Sequence, residues 1–535
     1  MPLPLRRIGS SSSLKIAAGI FVLCLGLQIV NFNSASTASL TSQKACLNGG
    51  ILNDANASIT TSSNTMALSP GELPGYTGWA RPERTLAGYF LISSISHSQP
   101  RVGEKFAISL RCQGHDDCSN GESLFFVRAY GPSVVAGLVQ SNGGGQYVVE
   151  IRFLDPGTYT LEVVLNFSNV PSFDEFPLSS DRQQPSYEGY LLPGFPMQVP
   201  VQRISEVRSS STFCSVENLT ENSLTGAMSK ARWVVTARAN GPGYASETLE
   251  HPITKAGYKR NIHSLGIHMS YQFVGCQLMT RSAMAKLEGD NHPFHKCGGE
   301  EKPQTLQVIF IGDSVMRLQK EQFDGFVKHL PNVQTTFINL AGGFRRCQKF
   351  GPDIEAHLKD LQNRRPDDLK AVLFNTGLHD IHRLCGQEWS QDRYDYLDKK
   401  KLDSDKFVCL EEYKTLLEEF ASIIQAFSAD LRVFQSTTAA WPKYGNFGIE
   451  WSHGGQSLPL AADTVFRFNE VAIAVLEKYQ NDIQVMDGYW ITYTRPDNRE
   501  VGAIGSKLSH PGLEVQGAMG IIWSMMILDK VCEVE

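Results

Sequence analysis

The stretch "TLQVIFIGDSVMRLQKEQF", residues 305–323, sets an apolar run directly against Gly312-Asp313-Ser314 and then changes period. Up to Ile311 the run reads as a strand. Beyond it Val315, Leu318, Phe323, Phe326, Val327 and Leu330 recur at a spacing close to one helical face. A chain that passes from strand to helix at Gly-Asp-Ser leaves Ser314 at the start of the helix, among backbone N–H groups that have no helical partner. Gly312 lets the chain turn and lets a ligand approach the backbone.

Outward from this stretch the same rhythm repeats. Apolar runs at 334–340, 371–376, 431–436 and 482–487 alternate with helical segments near 315–330, 353–363, 410–427, 461–480 and 513–530. Such alternation predicts an α/β fold, a parallel sheet with helices on both faces. Ligands in these folds bind beyond the carboxyl ends of the strands, where loops and helix N-termini converge. The residues at those ends are Gly312-Asp313-Ser314, Gly342-Gly343, Gly377-Leu378-His379-Asp380, Trp441 and Asp487-Gly488, while His510, in "KLSHPG", precedes the last helix.

This set points to nucleophilic catalysis. A serine hydroxyl alone is weak and needs a base within hydrogen-bond reach, a role His510 suits. The Gly343 amide, with His379 or Asn375 as a side-chain donor, is placed to receive a developing oxyanion. Asp487, at the end of the last strand, is the first choice for the acid that orients the imidazole, ahead of Asp497 and Asp380. A Ser–His dyad held by a backbone carbonyl is the alternative. Trp441 and Tyr489 belong to an aromatic group near the same edge whose faces suit sugar rings. A serine at a helix start is ordinarily only a cap; convergence on one edge carries the functional reading. No metal site is assigned, because His379 and His382 lack a third nearby ligand, and Cys297, beside His292 and His295, is expected in a disulfide.

The rest of the chain supplies the context. A length of 535 residues exceeds one typical core, and a net charge of -6 argues against nucleic acid as a partner. Arg6, Arg7 and Lys15 precede the apolar segment 16–30, which reads as an uncleaved signal anchor with a cytoplasmic N-terminus; a cleavable signal ending near Ser34-Ala35-Ser36 is the alternative. Its short span suits an early secretory membrane. Of eleven cysteines, ten lie beyond the anchor, an even number that fits disulfides, and Cys112 with Cys118 would close a small loop. Sequons at Asn56, Asn166 and Asn218 agree with a lumenal chain. Residues 33–84 read as a flexible Ser/Thr/Asn-rich stem. From 85 to 205, "KFAISLRC", "SLFFVRAYG", "QYVVEIRFL" and "TYTLEVVLNF", separated by the turn signals "SNGGG" and "DPG", predict an antiparallel β-sandwich acting as a spacer or binding module.

The motifs "IGDS", the glycine after the second strand, the block "GLHD" and the His-Pro before the last helix resemble the SGNH/GDSL hydrolase superfamily. "FNTG" at 374–377 is similar to its PC-esterase branch, which includes the trichome-birefringence-like glycan O-acetyltransferases. The preceding "YGPSVVAGLV" and "GGQYVVEIRFLDPGTYTLEV" resemble the Ig-like or filamin-like module of the NXPE (neurexophilin and PC-esterase domain) family. The resemblance implies an SGNH-type, flavodoxin-like domain at 301–535, after a cytoplasmic tail (1–15), an anchor (16–32), a stem (33–84), a sandwich (85–205) and a linker with the start of the catalytic region (206–300). It further implies a Golgi type II membrane protein that transfers an acetyl group from an acyl donor to a glycan acceptor without a cofactor. A carbohydrate esterase using the same residues, and an inactive glycan-binding or adhesion protein, are the alternatives. Two positions depart from the superfamily pattern: His379 stands where its third block has Asn, and Lys507 stands where its D-x-x-H has the acid.

Overall fold

The computed structural model describes residues 85–116, 118, 122–170, 186–203, 212–238, 267–279, 284, 292–297, 304–340, 343–345, 354–385, 408–440, 462–496, 498–502 and 505–532, all within the second of two compact units of the chain, 62–535. The anchor, the stem and Asn56 fall outside the described residues. Among the described residues no helix is long and apolar enough to cross a membrane.

The first half is antiparallel. Its strands are β1 (Phe90–Ile95), β2 (Lys105–Cys112), β3 (Glu122–Tyr130), β4 (Ser133–Gly143), β5 (Gln146–Arg152), β6 (Gly157–Val170), β7 (Ser186–Leu191), β8 (Met197–Val201), β9 (Ala231–Arg238) and β10 (Ile267–Phe273). They join in the order β1-β2-β5-β4-β3-β6-β7, with β8 on β6, β9 on β4 and β10 on β9. The sheet curls because β4 changes partner along its length: 134–136 pair with β3 and 137–143 with β5. The tight turn from β4 to β5 runs through Gly143, Gly144 and Gly145, with φ of 76°, 58° and 70°, a left-handed run that only glycine adopts without strain. Segment 206–300, expected as a linker with the start of the catalytic region, supplies β9 and β10 to this sheet, as well as the short helices α1 (Val216–Leu219) and α2 (Leu224–Met228).

β3 and β6 are buried on both faces, unlike sandwich strands that turn one face to water. Phe125, Val127, Ala129, Leu161, Val163 and Leu165 fill the inside of the curled sheet, while Leu124, Phe126 and Val164 join the core of the α/β half. Asn166 lies in β6 with 0% exposure, so its sequon is closed to a glycan in the folded chain, whereas Asn218 is exposed.

The second half is a parallel sheet of β11 (Leu306–Gly312), β12 (Val333–Asn339), β13 (Leu369–Phe374), β14 (Leu431–Gln435) and β15 (Gln484–Met486), in the order β12-β11-β13-β14-β15. Its helices are α3 (Ser314–Val327), α4 (Ile354–Arg364), α5 (Gly377–Cys385), α6 (Cys409–Ala426), α7 (Ala462–Leu476), α8 (Tyr489–Tyr493) and α9 (Leu513–Lys530); a hairpin of β16 (Arg499–Gly502) and β17 (Gly505–Pro511) precedes α9. Alternate residues of β11 go to opposite faces: Ile309 and Ile311 pack with α5, α6 and α7, and Val308 and Phe310 with α3 and α9. Two covered faces explain the unbroken apolar run in the sequence. Disulfides join Cys112–Cys118, Cys214–Cys276 and Cys297–Cys532, and Cys409 is also disulfide-bonded.

The two halves share one interface, centred on α8. The Tyr493 hydroxyl accepts the Val127 amide at 2.8 Å, Trp233 Nε1 donates to Ile491 O at 3.0 Å, and Trp490 Nε1 donates to Leu224 O at 2.6 Å. Arg128, fully buried and paired with Glu162 at 3.0 Å, also reaches Thr494 O at 3.4 Å.

Candidate active site

Ser314 is the first residue of α3, directly after β11. Asp313 caps the helix, its Oδ1 accepting the Val315 amide at 2.9 Å. The other carboxylate oxygen faces Gly377, where an added Cβ would lie 2.0 Å from Asp313 Oδ2 and φ is +71°. Neighbouring strand ends are tied to the same turn, since Leu340 N donates to Gly312 O at 2.7 Å and Asn375 N to Ile311 O at 3.0 Å. The loops after β11, β12 and β13 therefore share one edge.

His510 arrives at this edge from the hairpin. Although 196 positions separate the two in sequence, its Nε2 lies 2.9 Å from Ser314 Oγ. Both side chains are half-buried. With Nε2 as acceptor, the hydroxyl donates along the line that a general base needs. The N-terminus of a fourteen-residue helix adds its positive end beneath the oxygen.

The remaining predicted residues take varied positions. The Gly343 amide donates to Leu340 O at 2.7 Å, closing a turn in which Gly343 has φ of 101°. Asn375, 5% exposed, donates through Nδ2 to Gln435 O at 2.5 Å and to Thr437 Oγ1 at 3.3 Å, so its side chain ties β13 to the end of β14. His379 Nδ1 is 3.3 Å from Arg383 Nη1. A guanidinium only donates, so this bond places the neutral imidazole's proton on Nε2 and makes that nitrogen a donor.

Two of the three candidate acids, Asp487 and Asp380, bond backbone amides. Asp487 accepts the Trp490 amide at 2.9 Å, the Ile491 amide at 3.3 Å and the Tyr271 hydroxyl at 3.4 Å, and so starts α8. Burial pushes its carboxyl up to about 6 against those amides. Asp380 is fully buried and accepts the Phe344 amide through both oxygens, at 3.0 and 3.1 Å, which holds the segment that follows Gly343. Burial raises it to about 8. Asp497 lies outside the described residues. Tyr489, offered as a sugar contact, is 1% exposed; its ring packs against Phe466, Trp490 and Tyr493 and its hydroxyl donates to Ala462 O at 2.8 Å. Trp441 lies outside the described residues. Of the ligand-like trio, His292 is buried with Nδ1 accepting the Phe294 amide at 3.3 Å, and Cys297 is held in its disulfide.

Arg383 is a residue that the sequence expectations do not include. It sits with Asp380 on α5, a helix absent from the five expected from the sequence. The signal was present in "GLHDIHRLC", where Leu378, Ile381 and Leu384 recur at helical spacing.

No protein-family model and no curated relative matches the chain. Among solved structures, the crystal structure of the Lin-41 filamin domain aligns with 22% of this chain and 94% of its own length, at 14% identity and a TM-score of 0.16.

Proposed function

We propose that the chain is a serine acyltransferase of the secretory route that moves an acetyl group onto a glycan hydroxyl. The observation that supports it is the 2.9 Å approach of Ser314 Oγ and His510 Nε2 at the carboxyl edge of a parallel sheet. Ser314 Oγ attacks the donor's acyl carbonyl as its proton passes to His510 Nε2. The bond to the leaving group breaks as the imidazolium returns that proton, leaving an acyl-serine. An acceptor hydroxyl then gives its proton to His510 and attacks the ester, and the proton goes back to Ser314 Oγ as the acyl group departs. The N-terminus of α3 and the Nε2–H of His379 are the donors for the negative oxygen in this scheme. Roles in this scheme go to Ser314 and His510, while Asp380 and Asp487 bond backbone amides. The glycan acceptor and the lumenal setting rest on the sequence resemblance, and the disulfides fit an oxidising compartment.

The test is to expose the full chain to a fluorophosphonate and locate the adduct by intact mass and peptide mapping. Modification at Ser314, lost in Ser314→Ala and His510→Ala, is expected, with glycan O-acetylation in cells falling by roughly three orders of magnitude or more in either variant. An unmodified Ser314 and unchanged O-acetylation would sink the proposal. Rapid release from a chromogenic acetyl ester without acceptor would assign hydrolysis instead of transfer.

A further inference from the structure

The strand that carries His510 ends at a buried ion pair that no part of the acyl-transfer scheme uses. Arg495 and Glu514 meet at 2.6 Å, with side-chain exposures of 3% and 2%. Glu514 lies in the first turn of α9, four residues beyond His510, where a carboxylate is favoured by the helix dipole. Its Oε1 accepts the Met269 amide of β10 at 3.0 Å, and its Oε2 also accepts Asn498 Nδ2 at 3.4 Å. The Arg495 guanidinium lies 4.6 Å above the ring of Trp233, on β9. Three elements thus converge on one carboxylate: α8 with its following turn, the β9–β10 pair and the start of α9.

The same residues grip the backbone beside His510. Asn498 O accepts the Gly512 amide at 2.8 Å, Asn498 Oδ1 accepts the Val515 amide at 3.4 Å, and Gln516 Nε2 donates to Pro511 O at 2.5 Å. A Cβ at Gly512 would come within 2.5 Å of Asn498 Oδ1, so the strand-to-helix junction fits closely over that side chain. Since the Asn498 amide donates to Arg495 O at 3.0 Å, the cradle and the ion pair form one connected unit.

We propose that Arg495 and Glu514 are positioning residues for His510: the pair locks the His510–Gly512 junction to β9 and β10, and so makes the antiparallel half part of what aims the imidazole at Ser314. This rests on the Ser314–His510 reading for its catalytic consequence, but not for its structural one. A mobile junction would let the imidazole leave the 2.9 Å contact for much of the time.

The variant to make is Arg495→Met with Glu514→Gln, which removes both charges together and strands neither in the interior. Asp155→Asn, which breaks the Arg232–Asp155 pair in the same sheet, is the comparison. Two measurements on the full chain decide. Backbone amide exchange should rise at 505–512 in the double variant, with exchange in β11–β14 unchanged, and should stay at its wild-type level at 505–512 in Asp155→Asn. In saturation kinetics with a fluorophosphonate, the maximal rate of Ser314 modification should fall at least tenfold while half-saturation stays constant; Arg495→Lys should restore part of it. Unchanged exchange at 505–512 in the folded double variant would overturn the proposal. So would equal exchange increases across the sheet. If wild-type Ser314 is not modified at all, the acyl-enzyme reading fails, while the exchange measurement still decides the positioning role.

Discussion

A methyl group added to Gly377 would lie 2.0 Å from Asp313 Oδ2, at a position where φ is +71°. Two costs therefore coincide, left-handed backbone strain and collision with the residue that caps α3 next to Ser314. Gly377→Ala is expected to destabilise the fold by about 1–3 kcal/mol or more, read as a lower midpoint in urea, and to slow Ser314 modification by displacing the cap. Titration provides a second residue-scale test at His292. Burial first, then the neighbouring His329, holds its imidazole down at about 4, against an ordinary 6.5. The unfolded chain therefore takes up a proton between pH 6.5 and 4 that the folded chain refuses. This contribution to stability is complete above the upper value and is lost as pH falls toward the lower one, by about 3 kcal/mol at most. Urea unfolding at pH 7 and 4.5 should show a smaller difference in His292→Gln than in the natural chain. Ser314 was legible because it begins a helix whose period the sequence displays, and His510 because it stands just before the last such helix. Asn375, Asp487 and Tyr489 were chosen for their place at the same edge, but a position in sequence does not say which way a side chain turns, and all three turn into the protein.

At the scale of elements, α9 departs from the amphipathic norm. Every residue from Leu513 to Leu528 is buried, because the helix lies between the parallel sheet, α3 and the antiparallel half. Gly520 sits within it at ordinary contact distance from its neighbours: an added Cβ would be 3.5 Å from both Gln322 Cβ and Phe326 Cε2. Glycine inside a helix costs about 1 kcal/mol relative to alanine. Gly520→Ala should therefore raise stability by about 0.5–1 kcal/mol, visible as a higher melting temperature; a fall would mean the contact is tighter than it measures. The five parallel strands and five of the flanking helices were readable from period alone. Helix α8, the β16–β17 hairpin and the β9–β10 extension were not, since each is short and is held by contacts to distant segments more than by its own pattern.

Across the whole molecule, the antiparallel half does not stand apart as a spacer. Its strands β3 and β6 turn one apolar face to the α/β half, and the Arg128–Glu162 pair is sealed at that boundary. A fragment covering 85–205 alone lacks both β9 and the surface that covers Phe126 and Val164. It should aggregate or expose apolar surface to a reporter dye, and the intact chain should melt in one transition through both halves. A soluble fragment with a separate transition would contradict this. Local period determined the class of the second half, the strand-to-helix turn at Ser314 and the antiparallel character of the first half, because side-chain alternation and helical spacing are written into neighbouring residues. Tertiary structure alone decided that His510 meets Ser314, that Asp380 and Asp487 bond to backbone amides, and that β9 and β10 reach the base of the His510 strand. Those outcomes depend on contacts between residues tens to hundreds of positions apart, whose free energy appears only once the intervening chain has folded.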